Sequence, residues 1–270
     1  DKSTGLISDG LSDWAGPFDD KHPNPTPLPF STHLIVIKMT RIAALAAGKH
    51  VFCEKPPAMT VEEAITMQKA EEESGKVLMI GFVRRFGNDA AVVKDFIDAG
   101  DFGEIYYAKA NYTRRNGCPG GWFADKERSG GGPLIDLGVH VIDLVRYLIG
   151  RPMPVSVYGA TFHKLGDRPG IKREPDAYRS AGATEHDPVT VEDLASAMIR
   201  FDNGAILQIE FSWASNIKEE CRFVELRGTK SGMSWRNGVL ELFTEEDGEQ
   251  INITAPNCKE NNGHSNNLKH

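Results

Sequence analysis

The stretch Ala43–Pro56, AALAAGKHVFCEKP, sets the pattern of the first half of the chain. Its alanine-rich opening favours a helix over Arg41–Ala47, and Gly48 suits the left-handed position that ends a helix. The mostly apolar residues His50–Cys53 then predict a buried β-strand, which ends in the charged turn Glu54-Lys55-Pro56. A helix followed directly by a buried strand is typical of an α/β layer.

The same alternation continues on both sides of this stretch. Leu34–Ile37 is a short apolar run that predicts a strand before it. After it, Thr60 and Glu63 form a capping box that opens the next helix, which is predicted to run to about Ser74 and to stop at Gly75. Val77–Ile80 predicts another strand. Residues 34–81 are therefore predicted to form a parallel α/β layer.

The first 33 residues do not fit that layer. Five prolines lie within Trp14–Phe30, and proline removes backbone donors and fixes φ, so this stretch is predicted to be a loop. No G-x-G-x-x-G turn precedes the strands, because Gly5, Gly10 and Gly16 are too widely spaced to form one.

The second half of the chain changes character. Helices are predicted over Asn88–Ala99 and Pro133–Ile149, and a strand over Ile105–Tyr112. Strands then dominate, and Asp202-Asn203-Gly204 is a hairpin turn between two of them, which predicts a large, open, mostly antiparallel sheet in an α+β domain. The remaining strand candidates are Val155–Phe162, Ala195–Phe201, Ala205–Trp213, Arg222–Leu226 and Val239–Phe243.

Composition excludes several classes of protein. A formal charge of −7 disfavours a nucleic-acid partner, and no apolar run is long enough to suggest a membrane span. The four cysteines are far apart, which disfavours a disulfide framework or a zinc ribbon and favours reduced thiols in the cytoplasm.

Lys55 is the first candidate for chemistry. It follows a predicted buried strand, and ligands of α/β sheets bind beyond the carboxyl ends of strands. A lysine in that position can act as an acid, a base or an anchor for negative charge. The alternative is a surface lysine at a turn.

Asp136 and His140 form the second candidate, four residues apart in the helix that follows three consecutive glycines. This spacing puts both side chains on one helix face, where a carboxylate beside an imidazole suits proton transfer. The alternative is a surface pair on that helix. A metal site with Asp143 is a weaker hypothesis because no third ligand has zinc spacing, so no metal is predicted.

Several arginines could bind hydroxyl-rich or phosphate-bearing ligands. Arg84 and Arg85 follow the predicted strand at Val77–Ile80, whereas Arg115 and Asn116 lie in a polar, glycine-rich loop predicted over Arg114–Gly132. The alternative for the arginines of that loop is that they are solvated surface charges. No G-x-S-x-G or Walker A motif occurs, which disfavours a serine hydrolase and a P-loop NTPase.

Three motifs, in this order, resemble the glucose–fructose oxidoreductase / inositol dehydrogenase family (Gfo/Idh/MocA). They are AALAAGKHVFCEKP, VLMIGFVRRF (Val77–Phe86) and GWFADKERSGGGPLIDLGVHVIDL (Gly121–Leu144). The later VEDLASAMIRFDNGAILQIEFSW also fits, and the resemblance covers about residues 41–256. It implies a Rossmann domain, a second domain on a large open sheet, and oxidation or reduction of a sugar or polyol carbon with NAD or NADP.

The resemblance also implies residue roles. Lys55, Asp136 and His140 would be catalytic, with His140 transferring the proton of the reacting hydroxyl and Lys55 lying between nicotinamide and substrate. The cofactor would contact Glu54, Lys55, Arg84 and Trp122, and the sugar would contact Arg115 and Asn116.

The predicted domains are 1–83, an incomplete dinucleotide-binding domain, and 84–270, a substrate and oligomerisation domain. Only 54 residues precede Lys55, so we expect a truncated or gapped Rossmann remnant, and HSNNLKH suggests a closing helix cut short. Two alternatives remain open: an NAD-dependent glycoside hydrolase, and a silent sugar- or nucleotide-sensing relative.

The second sheet is expected to pack against another copy in a homodimer or homotetramer, because Ile206, Leu207, Ile209 and Phe211 put apolar residues on both faces of one strand. The sequence does not choose between NAD and NADP, because the discriminating residue after the second Rossmann strand is not in view.

Overall fold

A computed structural model describes residues 6–8, 40–166, 168, 178–180, 182–184 and 187–254. The first sheet in it has three parallel strands in the order β1 (Leu6–Ser8), β2 (His50–Cys53) and β3 (Leu78–Ile80). The expectation that the first 33 residues contribute nothing to this layer was wrong at β1, which is too short to show a sequence period. The strand predicted at Leu34–Ile37 and the loop predicted at Trp14–Phe30 lie outside the described residues.

Two helices accompany the parallel strands, and both end as predicted. The helical residues 40–46 (α1) are followed by Gly48 at φ 74°. Helix α2 (Val61–Ser74) begins after Thr60, whose side chain accepts the Glu63 N–H at 3.2 Å. The Glu63 carboxylate reaches back to the N–H of Met59 at 3.1 Å, one residue before the expected partner.

The segment between the two sheets is mainly helical. A 3-10 turn over Val83–Phe86 leads into α3 (Asn88–Asp98). A second 3-10 turn (Gly121–Ala124) and the short α4 (Lys126–Ser129) follow in the glycine-rich loop. The single α-helix predicted over Pro133–Ile149 is instead a π-helical turn, Leu134–Gly138, continued by α5 (Val139–Leu148).

The second sheet has eight strands in the order β11-β10-β9-β8-β4-β7-β6-β5. All neighbours are antiparallel except β4 and β7, which are parallel, so the predicted mostly antiparallel sheet is confirmed. Two of the strands, β9 and β11, were not predicted. The bounds are β4 (Ile105–Thr113), β5 (Pro154–Phe162), β6 (Leu194–Phe201), β7 (Ile206–Ser212), β8 (Cys221–Gly228), β9 (Gly232–Arg236), β10 (Val239–Glu246) and β11 (Glu249–Thr254).

Helices α3 and α5 cover one face of this sheet and form the main core with it. Leu207, Ile209 and Phe211 of β7 all point into that core, and only Ile206 of the four apolar residues lies on the other face. That other face is largely polar. Its central cross-strand row runs through Tyr158, Met198, Gln208, Lys109, Glu225, Ser234 and Glu241.

Candidate active site

Lys55 reaches from the carboxyl end of β2 to the helix that carries Asp136. Its ammonium nitrogen lies 3.2 Å from Asp136 Oδ1 and 3.1 Å from the Asp136 carbonyl oxygen. Both side chains are nearly buried, at 12% and 14% exposure. A charged pair taken this far out of water needs good geometry on both partners to be tolerated. The structure therefore joins two of the three residues predicted to be catalytic, across 81 positions of sequence.

Asp136 projects from the π-helical turn. In this turn a backbone hydrogen bond spans five residues, one more than in the predicted α-helix. The Val139 N–H reaches the Leu134 carbonyl, a bond across five residues. Gly138 lets this turn approach the sheet, since a Cβ there would lie 2.8 Å from the Phe211 ring. Such π-turns are frequent at functional sites.

The second carboxylate oxygen of Asp136 also has a partner. The indole N–H of Trp213 donates to Asp136 Oδ2 at 3.1 Å. Trp213 directly follows β7 and is 1% exposed. The sequence indicated only an apolar strand at this point, so Trp213 was not among the predicted site residues.

Glu192 caps the start of the same helical segment. Its two carboxylate oxygens accept the N–H groups of Gly132 at 2.9 Å and Leu134 at 3.3 Å. Gly132 is needed for this approach, because a Cβ there would lie 2.1 Å from the Glu192 carbonyl oxygen. A carboxylate at a helix N-terminus also suits the helix dipole. The VED run that contains Glu192 matched the resemblance, but the sequence indicated no role for it.

His140 lies one turn further along, on α5. It lines a cavity together with Arg84, Arg222 and Asn237, among others, so two predicted site residues share one cavity. The predicted pairing of His140 with Asp136 stays a prediction.

Arg85 and Asp143 hold the end of the first layer against α5. Arg85 Nε donates to Asp143 Oδ2 at 2.7 Å, and its Nη2 pairs with Oδ1. The Arg85 guanidinium also lies 5.5 Å from the centre of the Tyr147 ring. A bidentate arginine–carboxylate pair is geometrically specific, so this contact orients the 3-10 turn that carries Arg84 relative to α5.

Tyr112, at the carboxyl end of β4, sits among three arginines. Arg114 Nη2 donates to its hydroxyl at 3.2 Å, and the Arg222 guanidinium lies 5.8 Å from its ring centre. Burial alone would raise the pKa of Tyr112, but the charge and hydrogen bond of Arg114, with the charges of Arg222 and Arg84, lower it overall. The potential here is therefore positive.

Trp122 lies half-buried in the second 3-10 turn, and the centre of its ring lies 4.0 Å from the centre of the Phe123 ring. Asp187 holds the start of this turn, because its Oδ2 accepts the Gly121 N–H at 2.9 Å and the Thr184 N–H at 2.8 Å. The hydrogen bond from the Thr184 hydroxyl, followed by that from its N–H, lowers the pKa of Asp187.

The other predicted ligand contacts are placed as follows. The Glu54 carboxylate lies beyond the carboxyl end of β2, the central strand of the parallel sheet, where its Oε2 would be 3.2 Å from a Cβ on Gly81. Arg115 is exposed, and its backbone N–H donates to Glu220 at 2.9 Å. Asn116 is 4% exposed and forms an isolated bridge with Ala214, beside Trp213.

Within the described ranges, no three His, Cys, Asp or Glu side chains come together as a metal site. Asp143, considered above as a metal ligand, is engaged by Arg85. None of the helices in that part of the chain is long and apolar enough to cross a membrane.

A parallel layer that ends in a nearly buried lysine, joined to a wide sheet whose covering helical segment carries Asp136 and His140, defines an α/β protein of the dinucleotide-binding class. The chain belongs to the Gfo/Idh/MocA family of oxidoreductases. The GFO/IDH/MocA C-terminal domain pattern matches residues 90–234, and that of the oxidoreductase family's NAD-binding Rossmann fold matches residues 38–82. The resemblance and the fold class drawn from the sequence are thereby confirmed.

Named relatives agree with this assignment. D-glucoside 3-dehydrogenase of Escherichia coli (strain K12) is 39% identical over 228 residues, covering 83% of this chain and 62% of the relative. Levoglucosan dehydrogenase of Pseudarthrobacter phenanthrenivorans is 32% identical over 233 residues, covering 84% and 59%. A structure of levoglucosan dehydrogenase in complex with NADH superposes with a TM-score of 0.71 at 25% identity, covering 87% of this chain and 65% of that one. The chain spans about three-fifths of the length of these curated relatives.

Proposed function

We propose that this protein is an NAD(P)-dependent dehydrogenase that moves a hydride to or from a carbinol carbon of a sugar, inositol or related polyol. The observation that carries the proposal is the Lys55–Asp136 pair, at 3.2 Å, beyond the carboxyl end of β2 and one helical turn from His140. The names of the two curated relatives, both dehydrogenases of sugar derivatives, support the substrate class.

The residues at the carboxyl edge of the parallel layer fit a nicotinamide dinucleotide. The Glu54 carboxylate can accept hydrogen bonds from ribose hydroxyls, and Arg84 and Trp122 can border the junction of cofactor and substrate. When bound, NAD(P) accepts or returns the hydride, and the protein supplies orientation and charge.

The proton is handled by the protein's own side chains. As the carbinol carbon gives up its hydride, its hydroxyl loses a proton to the His140 imidazole and a carbonyl forms. The ammonium group of Lys55, held by Asp136, stabilises negative charge developing on that oxygen. Arg115 and Asn116 are proposed to contact the remaining sugar hydroxyls.

The test is absorbance at 340 nm with NAD and with NADP against glucosides, anhydrosugars and inositols. We expect reduced cofactor to form with the parent protein and with His163→Ala, since His163 is an exposed histidine at the end of β5. We expect His140→Ala to form little. Glycoside cleavage without net reduced cofactor would favour the hydrolase alternative, and ligand binding without turnover would favour the sensor.

We also propose that the protein assembles as a homodimer or homotetramer through the second sheet. All nine residues of the edge strand β5 are exposed, and its apolar side chains Val155, Val157 and Tyr158 are 58%, 64% and 86% exposed. Exposed apolar edges of this kind are usually covered by a partner. A monomeric mass by light scattering would contradict the proposal.

A cytoplasmic location remains a prediction as well. It is supported by Cys53, Cys118 and Cys221, which form no disulfide in the described part of the chain, as is usual in a reducing compartment.

A further inference from the structure

We propose that Trp213 is a positioning residue of the active site, which holds the Asp136 carboxylate so that Asp136 can anchor Lys55. This inference rests on the proposed function and extends its machinery by one residue. It follows from how the two oxygens of a single carboxylate are used: Oδ1 accepts from Lys55 at 3.2 Å and Oδ2 from the Trp213 indole at 3.1 Å.

The indole is a selective partner. Its N–H can only donate, so it favours a carboxylate oxygen turned towards it. With Oδ2 engaged by Trp213, the carboxylate cannot rotate freely, and Oδ1 stays directed at the Lys55 ammonium group. The Lys55 nitrogen has a second acceptor on the same residue, the Asp136 carbonyl at 3.1 Å. The position of the Lys55 ammonium group therefore depends on two hydrogen bonds to Asp136, one to its carbonyl and one to its carboxylate. Trp213 orients the carboxylate.

Trp213 is itself held firmly enough to act this way. Its backbone N–H donates to the Asp193 carbonyl at 3.0 Å, and its own carbonyl accepts the Gly117 N–H at 2.7 Å. Its ring is buried in a small cluster separate from the main core, formed with Cys118, Ala124, Leu137 and Val191. Leu137 is the residue after Asp136, so the same cluster fixes the backbone of the acceptor and the ring of the donor.

The experiment compares Trp213→Phe with the parent, each in the presence and absence of Asp136→Ala. Removing a hydrogen bond to a charged group is worth about a 10- to 100-fold effect, so we expect kcat to fall by that factor with KM nearly unchanged. In the Asp136→Ala background, the same substitution should cause no further loss of kcat. An equal loss in both backgrounds, or no loss in the parent, would overturn the inference.

Phe201→Leu is the matched control for lost core packing. Phe201 is also 1% exposed, but it lies at the far end of the sheet from Trp213, beside the β6–β7 turn. We expect it to lower the thermal midpoint without lowering kcat. If Phe201→Leu lowers kcat as much as Trp213→Phe does, the effect reflects packing alone and the inference fails.

A second readout does not depend on turnover. The indole N–H resonance of Trp213, assigned by its disappearance in Trp213→Phe, should move in Asp136→Ala and not in Phe201→Leu. If the parent protein oxidises no sugar, the proposed function fails, while this resonance still decides whether Trp213 holds Asp136. An unmoved resonance would refute the inference even in an active dehydrogenase.

Discussion

Two regions of the molecule depart, in opposite ways, from the usual pattern in which charged side chains are exposed and apolar side chains are buried. Beside the parallel layer, the charged groups of Lys55 and Asp136 are nearly buried, at 12% and 14% exposure. At the edge of the second sheet, Val157 and Tyr158 are 64% and 86% exposed. The buried charges have partners within the chain, whereas the exposed apolar groups have solvent. The buried ion pair is therefore satisfied within the chain, whereas we expect the exposed apolar strand to be covered by another molecule.

The largest effect should come from removing the buried cation. We expect Lys55→Met to lower kcat about 100- to 1000-fold, the usual result of deleting a group that stabilises a developing oxyanion. The matched control is Lys218→Met, because Lys218 is an exposed lysine between β7 and β8. Steady-state rates at 340 nm make the comparison, and equal rates for Lys55→Met and the parent would refute the assigned role.

Removing the anion instead should reveal the cost of an unpaired buried charge. We expect Asp136→Ala to lower the free energy of unfolding by about 3 kcal/mol, because Lys55 and the Trp213 N–H lose their acceptor. The double variant Lys55→Met/Asp136→Ala should recover part of this loss in urea unfolding. Strictly additive losses would mean that the two side chains are not energetically coupled.

The cap on the helical segment that carries Asp136 should matter to a lesser degree. Glu192→Ala removes the acceptor of two backbone N–H groups, at 2.9 and 3.3 Å, and we expect it to cost about 2 kcal/mol of stability. Glu192→Gln keeps one acceptor oxygen and should cost less. If thermal melting ranks the two variants the other way, the hydrogen bonds are not what anchors this segment.

Substitutions in the exposed edge strand β5 should change the oligomeric state and not the stability of the folded monomer. We expect Val155→Ser/Val157→Ser to shift the protein to a smaller species in light scattering, with little change in monomer stability, since surface substitutions usually cost under about 0.5 kcal/mol. Val61→Ser is the control, because Val61 is 69% exposed at the start of α2. A similar shift in the control would argue against a specific edge contact.

The smallest effect concerns pH. The pKa of Asp187 is lowered, chiefly by the Thr184 hydroxyl, so its stabilisation is complete above the ordinary aspartate pKa of about 3.9 and is lost as pH falls through the lower folded value. We expect Trp122 fluorescence to change only below about pH 4. Asp187→Asn should remove this acid transition, and an unchanged transition would assign it to another group.

Local features of the fold were predictable because their causes are local. Gly48 and Gly75 end helices in the left-handed conformation, and Thr60 caps α2 through a residue three positions away. The hairpin at Asp202-Asn203-Gly204 joins β6 and β7 as predicted. The π-turn was missed, because an apolar period of about 3.6 residues fits Leu134–Leu148 whether or not one turn is widened.

The sequence by itself determined the alternation of the first layer, the strand content of the second half, and the motif residues Lys55, Asp136 and His140. Only the tertiary structure decided what those residues touch. Lys55 meets Asp136 across 81 positions, Trp213 meets Asp136 across 77, and Glu192 meets Gly132 across 60. Such contacts have no local period, because they arise where the carboxyl ends of β2 and β7 and the amino end of β6 converge on one helical segment. Partners like Trp213 and Glu192 emerge only once the chain has folded.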